Sequence, residues 1–249
     1  MKPTIVILDK NTIDSMPRKE FVFFVSMGIV LNDIMANSKL LACYHNKLEG
    51  TTEENIKNYQ VVAALIEQTG RFYECKKMIN AFYSDSDIRD KYNKNLSNEG
   101  KAALGRFNDI LRSDKYSLIR NKLSNHYDIE QIEQIIETHI DHVEEISFMT
   151  TDEESGWAYT RFFISDILKF ATVLQIFGCD ENGEKEQMEK AYDDFWSESI
   201  QLNDLLQIYM IEVIKIFLDN FEKVKLREVE DISPTPIRQV KIPFFLSRD

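Results

Sequence analysis

Most of this 249-residue chain repeats apolar side chains three and four positions apart, which is the spacing of one face of an α-helix. Residues that start and stop helices divide this pattern into segments. Pro17 stands where proline is tolerated at a helix start, and Thr51 with Glu54 has the spacing of a capping box. The predicted helices cover residues 17–48, 53–83, 128–146, 151–178 and 184–224, the last as one helix or two in tandem.

Two shorter helices are predicted to begin at the N-caps Ser97 and Asp114, and Gly178 is predicted to close the helix that starts near Thr151. Short β-like stretches at residues 4–8 and 240–246 could pair with each other or with a second subunit. We expect an all-α fold: a single helical-bundle domain over residues 1–232 with long antiparallel helices. A proline-containing tail, 233–249, follows it.

Composition narrows the functional classes. The formal net charge of −12 argues against broad, nonspecific binding of nucleic acid, which needs many Lys and Arg to neutralise phosphates. The charge is uneven, however: residues 101–122 carry six basic and two acidic side chains, whereas residues 128–154 carry ten carboxylates and no Lys or Arg. This pattern fits either a small electropositive site on an acidic body or two solvated helix faces of opposite sign.

Other features exclude whole classes of chemistry. The eight glycines do not cluster, so no phosphate-cradling loop of the Walker or dinucleotide type is present. The longest apolar stretch, 21–31, is shorter than the roughly 20 residues needed to cross a bilayer. We expect a cytoplasmic protein without a membrane partner. We also expect reduced, buried thiols rather than disulfides or a thiolate metal site at the widely spaced Cys43, Cys75 and Cys179.

One segment indicates chemistry rather than packing. It places Arg120, Asn121 and His126 within two helical turns, at the end of the basic stretch. A guanidinium can hold a phosphate through two parallel hydrogen bonds, and an imidazole with an ordinary pKa of about 6.5 can transfer protons at neutral pH. Together these groups suggest phosphodiester chemistry.

The order Arg120-Asn121, four further residues and His126 resembles the RN-x4-H signature of the HEPN superfamily. The resemblance implies an all-α domain and a metal-independent endoribonuclease of a bacterial defence or toxin-antitoxin system. It also implies that Arg120 and His126 are the catalytic pair. In one branch of the family a Tyr two residues after the His is modified by a partner nucleotidyltransferase. Here Tyr127 directly follows the His and Asp128 occupies that position.

Helical geometry affects how such a pair could act. On one regular helix over residues 115–126, Arg120 and His126 would lie about 9 Å apart along the axis and about 120° apart around it. Either the helix distorts near Asn125, or the pair acts across a twofold axis against its own copy. We expect a homodimer, because cleavage by 2′-OH attack needs both a general base and a general acid.

The predicted roles follow from this chemistry. His126 transfers protons, Arg120 grips the scissile phosphate, Asn121 positions it, and Lys115 and Lys122 contact RNA. No cofactor is expected; an antitoxin or defence partner is compatible with the family. In the alternative interpretation Arg120 pairs with a carboxylate and His126 only ends a helix, and the domain is a noncatalytic protein- or nucleotide-binding module.

A metal site is a more distant alternative. His139 and His142 share one face of a predicted helix. His139 falls within a stripe of apolar residues and His142 at its margin, and neither belongs to a zinc-binding sequence pattern. We expect structural histidines there and no metal ligand.

Overall fold

A computed structural model of the protein describes residues 4–8, 10–44, 52–123, 133, 136–137, 148–149, 161–180, 183–220 and 225–228. Helices dominate this part of the chain, so the all-α prediction is confirmed. They are α1 (Lys10–Ser15), α2 (Arg18–Tyr44), α3 (Thr52–Tyr83), α4 (Ser86–Ile88), α5 (Asn98–Leu111), α6 (Asp114–Lys122), α7 (Phe163–Ile176) and α8 (Lys185–Asp219). A π-helical turn, Arg89–Asn93, directly follows α4.

Four short strands form two antiparallel pairs in the described part of the chain. Strand β1 (Thr4–Ile7) pairs with β4 (Lys225–Glu228), and β2 (Phe148–Met149) pairs with β3 (Arg161–Phe162). The predicted strand at residues 4–8 is therefore confirmed, but the described partner is β4. The other predicted stretch, 240–246, lies outside the described residues.

Several predicted helix ends are confirmed. They could be predicted because capping depends only on residues close in sequence. The Ser97 hydroxyl accepts a hydrogen bond of 3.0 Å from the backbone N–H of Gly100, which satisfies a donor in the first turn of α5. Gly178 follows α7 with φ at +90°, a conformation that L side chains rarely adopt and that ends a helix. The segment 184–224 contains one long helix, α8, over its described part.

Two predicted helix starts are wrong. The segment predicted as helix from Thr151 contains strand β3, and α7 begins only at Phe163, because Arg161 and Phe162 pair with β2. The predicted N-cap Asp114 is the first residue of α6, and Ser113 with extended backbone is the N-cap. The Ser113 hydroxyl has no hydrogen-bond partner among the described residues.

The chain divides into two compact units. The first consists of the described residues within Met1–Ala36, Arg71–Leu111 and Gln201–Gln239, and the second of those within Asn37–Gly70, Arg112–Ile200 and Val240–Asp249. Helices α2, α3 and α8 each contribute residues to both units. The predicted boundary at residue 232 falls outside the described residues.

The core of the first unit is aromatic. Phe23 of α2 is fully buried, and its ring centroid lies 5.0 Å from that of Phe82 and 5.1 Å from that of Tyr92. Asp33 near the other end of this part of α2 faces Arg71 of α3 at 3.7 Å. These contacts set α2 antiparallel to α3 within the first unit, as predicted for the long helices.

Polar groups are also buried in the first unit, and they are paired. The Glu20 carboxylate, 4% exposed, accepts hydrogen bonds from Lys91 Nζ at 2.6 Å and from the Tyr92 hydroxyl at 2.5 Å. The hydroxyls of Tyr83 and Tyr209 share a hydrogen bond of 2.6 Å. Burial raises the pKa of Tyr83 to about 12, although the bond to Tyr209 acts in the opposite direction. Such pairing is what buried polar groups require.

The second unit has its own core. Phe177, which directly follows α7, has its ring centroid 5.1 Å from Phe195 of α8 and 6.3 Å from Tyr116 of α6. Asn37 donates to the carbonyl of Ala64 at 3.0 Å, which ties the last part of α2 to α3. Cys179 of this unit and Cys75 of the first are buried free thiols, as predicted; the side chain of Cys43 lies outside the described residues.

Helix α2 is the one described helix that is long and apolar enough by composition to cross a membrane. Its apolar segment is Arg18–Lys39, of which 22% is buried. One such helix is weak evidence for a membrane span, since core helices of soluble proteins meet the same test. The cytoplasmic location stays a prediction.

Candidate functional site

Helix α6 carries the described part of the RN-x4-H segment. Its apolar residues Tyr116 and Ile119 are fully buried, and three-residue spacing places them on one face. The opposite face is exposed to solvent, and it presents Leu118, Asn121 and Lys122. The burial of one face therefore fixes which side chains α6 offers to a ligand.

The helix ends before the motif does. Lys122 is the last residue of α6, and Leu123 has the non-helical angles φ −124° and ψ −26°, while its N–H still bonds to the carbonyl of Ile119 at 2.9 Å. A regular helix through residue 126 is therefore not formed. His126 lies outside the described residues, so its distance from Arg120 stays a prediction.

Arg120 and Asn121 are brought together at this helix end. The guanidinium Nη1 of Arg120 donates a hydrogen bond of 3.2 Å to the side-chain Oδ1 of Asn121. Because Asn121 Oδ1 accepts this bond, its amide N–H groups are directed elsewhere. Arg120 and Lys122 both lie in the last turn, where positive charge offsets the partial negative charge of the helix C-terminus. The partial negative charge of the helix C-terminus would by itself repel a phosphate. An anion could bind there only because Arg120 and Lys122 supply positive charge.

Lys115 is engaged within the second unit. Its ammonium lies 3.4 Å from a carboxylate oxygen of Glu198 on α8 and 4.6 Å from the ring centroid of Phe177. It belongs to the first turn of α6, whereas Arg120 and Lys122 belong to the last. The structure thus groups Lys122 with Asn121 on the exposed face, and a phosphate that binds Lys115 would compete with Glu198.

Sequence reasoning missed one feature of this face. Leu118 is a large apolar side chain that is 39% exposed, and it lies three and four positions before Asn121 and Lys122. That spacing places the three on neighbouring positions of the helix surface. The spacing of the apolar residues contains this information: if Tyr116 and Ile119 define the buried face of a helix, Leu118 lies on the opposite face.

The remaining candidates can be located only in part. His139 and His142 lie outside the described residues, as do most of the carboxylates of the acidic stretch 128–154. Among the described residues, no group of three or more His, Cys, Asp or Glu side chains is arranged to hold a metal ion.

The first unit has an open groove of about 410 Å³. The ion pair between Lys19 and Asp85 lies in its lining, and this pair lowers the pKa of the Asp85 carboxyl. None of the predicted site residues lines the groove. Its lining consists of Lys19, Ala81, Phe82, Ser84, Asp85 and Ile88.

No protein-family model, curated protein or solved structure matches this chain. The features of this chain that bear on its function are therefore the residues of α6 and the resemblance of their sequence to the HEPN motif.

Proposed function

We propose that the protein is a HEPN-like, metal-independent endoribonuclease of a bacterial defence or toxin-antitoxin system. One observation supports this proposal above all others. The Arg and the Asn of the RN-x4-H sequence are hydrogen-bonded to each other at the solvent-facing end of α6. An Arg oriented by an adjacent amide is suited to recognise a phosphate through two parallel hydrogen bonds.

The proposed reaction is transesterification within RNA. A general base removes the proton of a 2′-OH, the 2′-oxygen attacks the adjacent phosphorus, and the bond from phosphorus to the 5′-oxygen breaks. A general acid gives a proton to the departing 5′-oxygen. The products are a 2′,3′-cyclic phosphate and a 5′-hydroxyl. His126 is proposed to transfer protons, Arg120 to stabilise the charge that develops on the phosphoryl oxygens, and Asn121 to position the phosphate.

The reaction needs two proton-transfer groups, and each chain contributes one His126. A homodimer with a twofold axis at the site supplies both, together with two copies of Arg120. Lys122, on the exposed face with Asn121, is proposed to contact RNA phosphates. Lys115 is proposed to contact RNA when its ion pair with Glu198 is broken. The formal charge of −12 disfavours a general RNA coat and fits a selective enzyme better.

A second function is favoured by Leu118. An exposed leucine beside an amide and a cation suits a contact with a protein better than a contact with a phosphate backbone, because apolar area is what protein interfaces bury. In this alternative, α6 belongs to a noncatalytic HEPN-like module that binds a partner protein or a nucleotide.

RNA cleavage in the presence of EDTA tests the proposal. We expect Arg120→Ala and His126→Ala to lower the rate about a hundredfold or more, with unchanged circular dichroism. The matched control is Arg89→Ala, which removes a partly exposed guanidinium paired with Asp90 in the first unit and should retain the wild-type rate.

Three results would contradict the nuclease. Full activity of Arg120→Ala and His126→Ala would show that neither side chain takes part in cleavage. Absence of RNA cleavage, together with capture of a partner that is lost in Arg120→Ala, would support the binding module instead. Activity that disappears with EDTA and with His139→Ala would indicate metal-ion hydrolysis.

A further inference from the structure

Helix α2 exposes an apolar stripe that no described part of the chain covers. Val22, Val25 and Ile29 are 39%, 41% and 59% exposed, and their spacing of three and four residues places them on one face of the helix. The opposite face is buried in the first unit through Phe23 and Met27, which are 0% and 3% exposed. Helix α2 is therefore packed on one side and apolar on the other.

The charges that flank the stripe are complementary under a twofold axis. A point on the helix axis midway between residues 25 and 26 is 3.5 residues, or about 5 Å, from both Val22 and Ile29. The same point is 7.5 residues, or about 11 Å, from both Arg18 and Asp33. An antiparallel copy of α2 centred there would place Val22 opposite the copy's Ile29 and Arg18 opposite its Asp33.

These two charged side chains are accessible for such a contact. Arg18 is exposed, and the Asp33 side chain is 60% exposed although it faces Arg71 at 3.7 Å. The two ion pairs of the dimer would be equivalent by symmetry, as in any isologous interface. Ion pairs of this kind fix the register of paired helices more than they add affinity.

A lipid bilayer fits the stripe less well. From Val22 to Ile29 the stripe spans seven residues, or about 10 Å of helix, whereas the hydrocarbon core of a bilayer is about 30 Å thick. The buried face of α2 also carries Glu20, which accepts hydrogen bonds from Lys91 and Tyr92. That face therefore packs within the first unit and is not available to contact lipid.

We infer that the stripe Val22, Val25 and Ile29 is the contact surface for a second copy of this chain, with the two α2 helices antiparallel around Val25. The contact does not use the motif residues, because the stripe belongs to the first unit and the motif segment to the second. The contact buries the apolar side chains and pairs Arg18 with the copy's Asp33.

Sedimentation of the full chain across a range of concentrations tests this inference. Ile29→Glu should raise the dimer dissociation constant about a hundredfold or more, because a carboxylate would be buried twice per dimer. The matched control Ile211→Glu changes another exposed isoleucine, 49% exposed on α8, and should leave the dissociation constant unchanged.

A charge exchange tests the register. Arg18→Asp and Asp33→Arg should each weaken the dimer, and the double variant should restore it, because only the antiparallel register brings these two positions together.

Four results would overturn the inference. They are a chain that stays monomeric at all concentrations, a dimer unaffected by Ile29→Glu, equal loss of the dimer in Ile211→Glu, and a monomer that binds phosphatidylcholine vesicles through Ile29. If RNA cleavage is lost in Arg120→Ala while the dimer persists, the inference stands irrespective of the enzymatic outcome.

Discussion

The hydroxyl oxygens of Tyr83 and Tyr209 lie 2.6 Å apart inside the first unit, whereas the buried hydroxyl of Tyr192 in the second unit has no hydrogen-bond partner among the described residues. Both Tyr209 and Tyr192 are at most 1% exposed. The same chemical change at the two positions therefore has different consequences, because it removes a paired hydroxyl in one case and an unsatisfied one in the other.

We predict that Tyr209→Phe lowers the free energy of unfolding by about 1 kcal/mol or more, since it leaves the Tyr83 hydroxyl without its partner. Tyr192→Phe should be neutral or stabilising, because no described bond is lost. Urea unfolding of both variants measures the difference. A larger destabilisation by Tyr192→Phe than by Tyr209→Phe would contradict the assigned hydrogen bonding.

Alkaline pH should destabilise the fold. Burial raises the pKa of Tyr83 to about 12 and that of Tyr192 to about 12, against an unfolded value of about 10. The unfolded chain therefore releases these protons first, so their contribution to stability is complete below about pH 10 and is lost as the pH rises to about 12. Unfolding followed by circular dichroism should coincide with the appearance of tyrosinate absorbance; tyrosinate formation at pH 10 for every tyrosine of a folded chain would contradict this prediction.

The buried carboxylate of Glu20 should be more important for stability than an exposed one. Glu20→Gln keeps the shape of the side chain but removes the charge that Lys91 Nζ contacts at 2.6 Å. We expect it to lower the free energy of unfolding by about 1.5–3 kcal/mol. The control is Glu74→Gln, which breaks an exposed pair with Lys77 of similar length, 2.7 Å. That change should cost less than about 0.5 kcal/mol. Equal losses in thermal unfolding would show that the burial of Glu20 has no energetic role.

Asn121 offers a test of the motif that leaves Arg120 in place. Asn121→Asp converts the acceptor of the Arg120 hydrogen bond into a carboxylate, which would neutralise the guanidinium locally and repel a phosphate. We predict weaker RNA binding and at least about tenfold slower cleavage at limiting RNA. Asn121→Ser, a smaller neutral residue, should be affected less. Wild-type cleavage by Asn121→Asp would mean that this side chain does not face the phosphate.

The helical fold was predictable because its signals are local. Ser97 caps the first turn of α5 through an atom three residues away, and Gly178 ends α7 through its own backbone angle. The partner of β1 was not predictable, because β4 lies more than two hundred residues further along the chain and no local property of either strand specifies the other. For the same reason the start of α7 was placed too early: only the pairing of β3 with β2 keeps Arg161 and Phe162 out of the helix.

The candidate site was predictable to a similar extent. The proximity of Arg120 and Asn121 follows from their adjacency in sequence. The position of Lys115 does not, because Glu198 is 83 residues away and the packing of α6 on α8 brings them together. One of the two alternatives was a helix distortion near Asn125, but α6 already ends at Lys122. The exact position was not predictable, since residues 115–126 contain neither glycine nor proline to stop a helix.

Cleavage of two matched oligonucleotides in EDTA shows whether the protein cuts RNA by attack of the 2′-oxygen. One is an RNA with a single mapped cleavage site, and the other is identical except for a 2′-deoxyribose at that site. Attack by the 2′-oxygen predicts that the RNA is cut to a 2′,3′-cyclic phosphate and a 5′-hydroxyl, and that the deoxy-substituted strand remains intact at that position. Equal cleavage of both strands, or an intact RNA, would contradict the account.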